Sequence, residues 1–123
     1  MPAGHKITIT PAELHLEITV GGEKLAVTDR PVLLDETGLP TRYYVPREDV
    51  RTELLRPTSL QTRCPFKGMA SYWSVAVGDK VYDSLVWSYQ TPIHAAEEIA
   101  GLMCFPSEQV SLTIDGERQP GSA

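Results

Sequence analysis

The stretch MASYWSVAVGDKVYDSLVWSY, Met69 to Tyr89, decides the fold class. Apolar and polar residues alternate on both sides of Gly78-Asp79, the period of a half-buried strand. Trp73, Val75 and Val77 share one face of the first half, and Leu85, Trp87 and Tyr89 share one face of the second. A glycine at the first position of a two-residue loop suits a type II′ turn. The stretch is therefore predicted to be an antiparallel hairpin from Ala70 to Tyr89, with Trp73 and Trp87 mostly buried.

Working outward, KITIT and LHLEITV alternate in the same way, with Pro11 between them marking a bend or an edge. Gly21-Gly22 separates two apolar runs and reads as a second tight hairpin. Val32 to Leu34 is a short apolar piece, TRYYV is a strand, and VSLTI is the last strand. Pro46 is predicted to open a helix through Leu54, because proline suits the first helical position and Glu48 and Asp49 suit the positive end of the dipole. Pro57 ends it, and TSLQTRCPFKG reads as an ordered loop. Thr91-Pro92 is predicted to cap a second helix running to Ile99 and stopped by Gly101. The sum is a mainly β (α+β) fold: one compact domain over residues 1–123, an antiparallel sheet or partly closed barrel, two short helices, a core of about residues 6–115 and a frayed polar tail over 116–123.

Composition bounds the function. The 123 residues carry a net charge of −5, and the arginines between Arg42 and Arg63 are interleaved with Glu48, Asp49 and Glu53. Nucleic-acid affinity is dominated by basic side chains neutralising phosphates, so no nucleic-acid partner is expected. No apolar run approaches the ~20 residues of a membrane span, and MPAGHKITIT lacks the apolar core of a leader, so the expectation is a cytoplasmic protein with no membrane partner. Cys64 and Cys104 are then reduced. Metal-ligand spacings, phosphate loops and dinucleotide fingerprints are absent from the sequence, so no metal and no cofactor are expected.

One short loop concentrates chemistry: Arg63-Cys64-Pro65-Phe66-Lys67-Gly68. Pro65 biases Cys64 toward extended backbone and Gly68 permits a restricted turn. Cys64 and Lys67 can then face one volume, and a nearby ammonium favours the thiolate. They are the candidate catalytic pair. The alternative is a packed cysteine acting as a small apolar group, with Lys67 solvated. The histidines offer little help: His5 lies at an end, His15 on the polar side of a strand, His94 in a first helical turn. Aromatic side chains bring large apolar faces with polar handles, so Tyr44, Tyr72, Trp73, Trp87 and Tyr89, with Arg63 and Lys67 for charge, are the candidate ligand-binding set. Tyr43 and Tyr44 must point to opposite faces of their strand.

Four ordered motifs, YYVPREDV, CPFKGMASYW, VWSYQTP and IAGLMCF, resemble the bacterial domain-of-unknown-function family 427 from Ile7 to Ile114. The resemblance implies a compact β-rich domain and marks Tyr44, Pro46, Cys64, Pro65, Lys67, Gly68, Tyr72, Trp73, Trp87, Tyr89 and Pro92 as signature positions. It carries no established reaction. Some similar chains bear a nucleotidyltransferase-like label, but such enzymes hold metal on closely spaced aspartates after a Gly-Ser loop, and neither stands in a suitable place here. Three functions compete: a small-molecule binding module, with an anionic ligand suggested by Lys67 and Arg63; a thiol enzyme using Cys64; and an interaction protein or homo-oligomer using a sheet edge.

Overall fold

The computed structural model describes residues 6–120, which form two antiparallel sheets. His5 and residues 121–123 lie outside the described residues. The strands are β1 (Ile7–Pro11), β2 (Leu16–Val20), β3 (Glu23–Thr28), β4 (Val32–Glu36), β5 (Arg42–Val45), β6 (Leu55–Cys64), β7 (Gly68–Val77), β8 (Lys80–Ser88), β9 (Met103–Cys104), β10 (Ser111–Ile114) and β11 (Glu117–Arg118). Seven of them make a large sheet in the order β1-β4-β5-β9-β8-β7-β6, and four make a small one, β11-β10-β2-β3. The large sheet is open, with β1 and β6 as its edges, so no barrel closes.

The two hairpins read from the sequence form where glycine permits them. Val77 pairs with Lys80 around Gly78, at φ +57°, and Val20 pairs with Glu23 around Gly21 and Gly22, both at positive φ. The small sheet covers one face of the large one. Leu16, Ile18 and Leu25 from the small sheet meet Val45, Val75, Val86 and Met103 from the large sheet in the main core. Fully burying such side chains contributes about 1.5–3 kcal/mol each. The opposite face of the large sheet carries a second cluster containing Leu34, Tyr44, Tyr89, Ile99 and Cys104. Trp73 and Trp87 are half-buried rather than buried, one against each cluster.

Neither expected α-helix is present. The first is replaced by two 3-10 turns, Arg47–Asp49 and Thr52–Leu54. Between them Val50 is extended and bridges to Ala26, and the Arg51 N–H donates to the Leu25 carbonyl at 2.8 Å. Pairing with the exposed side of β3 thus overrides the local helical signals. The second is a kinked 3-10 segment, His94–Ile99, with Ala96 at φ −120°. Its entry is pinned because the Ile93 N–H donates to the Lys67 carbonyl at 2.9 Å, which holds Ile93 extended and removes Thr91-Pro92 from the helix start.

The expected loop over residues 58–64 is instead part of β6, and Pro57, expected as a helix stop, lies inside that strand. Proline lacks the N–H a central strand needs, but β6 is an edge. The tail is also more ordered than expected, since Glu117–Arg118 pairs back on β10.

His15 ties the start of β2 to the end of β3. Its Nδ1 lies 2.7 Å from Asp29 Oδ1 and its Nε2 lies 2.8 Å from Glu17 Oε2. The hydrogen bonds to Asp29 and then Glu17 raise its pKa above the ordinary 6.5. A raised value means the contribution is fully present below the unfolded pKa and is lost as pH rises through the folded one. Thermal melts across roughly pH 6–8 should therefore fall more with rising pH in the wild type than in His15→Gln. A His15 imidazole titration by NMR with a midpoint at or below that of a free histidine would contradict this.

Candidate functional site

Register places one row of residues across the face of the large sheet that lies away from the small sheet. Val32 pairs with Tyr44, Tyr44 with Cys104, Cys104 with Trp87, and Trp87 with Tyr72. Directly opposed residues share a face, so this row runs over five strands. Arg42 and Leu34 flank it from the next paired position. Above the row an open cavity of about 420 Å³ is lined by Tyr72, Trp87 and Tyr89, among others. Leu39 and Pro40, from the turn after β4, and Pro106, Glu108 and Gln109, after β9, form other parts of its wall. That volume lies within the range of roughly 300–1,000 Å³ usual for small-molecule sites.

Two ion pairs stand in this lining. Lys67 Nζ donates to Glu36 Oε1 at 2.9 Å, and both side chains are nearly buried. The same ammonium lies 5.8 Å from the centre of the Tyr89 ring. Arg42 Nη1 donates to Glu108 Oε2 at 3.0 Å and its guanidinium lies 5.3 Å from the centre of Trp87. Beneath them Tyr44 is wholly buried, and Trp87 Nε1 donates to its hydroxyl at 3.3 Å. Burial pushes the Tyr44 and Tyr89 phenols above their ordinary range and the Cys104 thiol up to about 12. The floor therefore offers neutral donors, not phenolate or thiolate nucleophiles.

β7 faces a strand irregularity on each side. Trp73 pairs with Val86 and Val75 with Tyr82, so Asp83, Ser84 and Leu85 stand opposite Ser74 alone. Ser84 takes φ +49°, a left-handed conformation uncommon outside glycine. It is held there because its N–H donates to Ser74 Oγ at 2.9 Å, while that hydroxyl donates to Asp83 Oδ1 at 3.2 Å. On the other side of β7, Thr58, Ser59 and Leu60 stand opposite Tyr72 alone. Bulges of this kind re-aim side chains and concentrate beside functional sites. Here one brings Asp83, Ser84 and Leu85 to the cavity.

The structure thus brings together Lys67, Tyr72, Trp87 and Tyr89 of the sequence-derived set, with Tyr44 beneath them. It separates the rest. Cys64 and Arg63 line a second, smaller hollow with Met69 and Ile93. Trp73 points to the opposite face, where the Arg47 guanidinium lies 5.7 Å from its centre. His94 is exposed beside Glu97. Sequence reasoning missed Glu36, Arg42, Asp83, Ser84 and Glu108. Only Asp83-Ser84 carried a local signal, two adjacent polar residues interrupting a strand pattern.

The family model described as Domain of unknown function (DUF427) matches residues 8–116. The chain belongs to this family. The match spans the cavity lining and every strand except β11, and the family description names no reaction. No curated protein matches the chain. Among the described residues no group of His, Cys, Asp and Glu is arranged to hold a metal ion, and no helix is long and apolar enough to cross a membrane.

Proposed function

We propose that this DUF427 chain is a small-molecule binding module whose ligand occupies the cavity over Tyr72, Trp87 and Tyr89. The observation that carries the reading is the row of aromatic side chains on the sheet face away from the small sheet, where Ala96 and Ile99 pack on part of the row and an open cavity lies over Tyr72, Trp87 and Tyr89. Rings fixed on strands and locked by hydrogen bonds, Tyr72 to Thr62 and Trp87 to Tyr44, form a preorganised apolar floor. The thiol-enzyme reading draws no such support, because Cys64 opens onto a different hollow without a histidine in its lining. The edge-interaction reading is weakened by Pro57 and the bulge in β6, both devices that blunt strand addition.

The test uses the two tryptophans as opposed reporters. A panel of small heteroaromatic fragments titrated into labelled protein should shift the Trp87 indole N–H resonance and leave that of Trp73 in place. Tyr72→Ala should weaken the hits by about three- to tenfold, the scale of one lost aromatic contact. Fragments that move Trp73 or the residues around Cys64, and not Trp87, would remove the proposal.

A further inference from the structure

The geometry points to a cationic ligand, an amidinium, guanidinium or arylammonium group on a planar apolar body, held between Asp83 and the Tyr72 ring. This inference rests on the cavity reading above and specifies its substrate class.

Charge pairing around the cavity carries the argument. Two cations and three carboxylates stand in its lining: Lys67 and Arg42 against Glu36, Glu108 and Asp83. Each cation is already committed. Lys67 is bonded to Glu36 at 2.9 Å and Arg42 to Glu108 at 3.0 Å. An anionic ligand would have to share a cation that a cavity carboxylate already neutralises, and would sit beside that carboxylate's like charge. The anionic version suggested by Lys67 and Arg63 in the sequence is therefore disfavoured, and Arg63 lines the other hollow.

Asp83 is the odd carboxylate. It has no basic partner among the described residues, and its contact is the Ser74 hydroxyl at 3.2 Å. The β8 bulge, with Ser84 held at positive φ, keeps it in the cavity lining. The rings tell the same story. The protein's own cations already lie over Trp87 and over Tyr89. Tyr72, tilted 44° to Trp87 at 6.4 Å, carries no internal cation among the described residues. Aromatic faces attract cations, and a planar one also stacks. The chain's net charge of −5 adds long-range attraction for a cation and repulsion for an anion.

Three nearly isosteric probes separate charge from shape: benzamidine, benzamide and benzoate, each followed at the Trp87 indole resonance. Benzamidine should bind about tenfold more tightly than benzamide, with benzoate weakest, and added salt should shrink the gap. Asp83→Asn should bring benzamidine to the level of benzamide and leave benzamide unchanged. Because Asp83 is exposed, this variant should melt as the wild type does. Benzoate binding as tightly as benzamidine, or a benzamidine preference that survives in Asp83→Asn, overturns the cationic class while the cavity reading stands. If none of the three probes moves Trp87, both fall.

Discussion

Lys67→Met should destabilise the protein by about 3–5 kcal/mol, the scale of breaking a buried ion pair by removing one member. Glu36 and Lys67 side chains are only 7% and 11% exposed, so water cannot fully replace the lost bond. The pair also does topological work. β4 and β7 are separated in the sheet by β5, β9 and β8, so the bond links the turn before β7 to a strand that is not its neighbour in the sheet. With a total stability of roughly 5–15 kcal/mol for a domain, such a loss should lower the melting temperature by on the order of 10 °C or more. The decisive comparison is Lys67→Met with Glu36→Leu. Removing both charges removes the desolvation cost as well, so the double variant should recover most of the loss. A single variant that melts like the wild type, or a double variant no better than the single, would show that Glu36 is stabilised by other contacts.

That pair also marks the limit of what the sequence could disclose. The hairpin at Gly78-Asp79 was legible because its signals are local: alternation, a permissive glycine and no proline. The hairpin at Gly21-Gly22 was legible for the same reason. The helices were misread because their deciding contacts are distant. Val50 follows a helical start but pairs with Ala26, and Ile93 precedes a helical stretch but bonds to the Lys67 carbonyl. Strand β6 was hidden by Pro57, tolerated only because the strand turned out to be an edge. The same distinction governs the site. Tyr72, Trp87 and Tyr89 stood out by type and by strand parity. Glu36, Arg42 and Glu108 did not, since a carboxylate near a turn becomes informative only when register sets it beside a particular cation. Cys64 stood out chemically, but across the β6–β7 turn Lys67 lines the cavity while Cys64 lines the other hollow and packs against the cluster that holds Tyr89.

Gly68→Ala should test that turn directly. Gly68 has φ +118°, a region open almost only to glycine. Holding another residue there costs about 1–3 kcal/mol from the dihedral alone. Space adds to it. A Cβ on Gly68 would lie 3.2 Å from Pro92 Cα, 3.3 Å from the Ile93 nitrogen and 3.5 Å from the Thr91 carbonyl oxygen. These are backbone atoms, so no side chain can swing aside. The segment that must yield is the one joined to Lys67 by the 2.9 Å bond from the Ile93 N–H. Relieving the clash therefore loosens the residue that carries the buried ammonium. Gly78→Ala is the control, because that glycine also has positive φ but open space around its Cβ position. In urea unfolding, Gly68→Ala should lose clearly more stability than Gly78→Ala. Its effect should also be non-additive with Lys67→Met, since both act through the same ion pair. Equal losses in the two alanine variants would mean that neither the φ +118° conformation nor the crowding by residues 91–93 adds strain beyond that of the left-handed Gly78 turn. In that case the contact with residues 91–93 does not position Lys67.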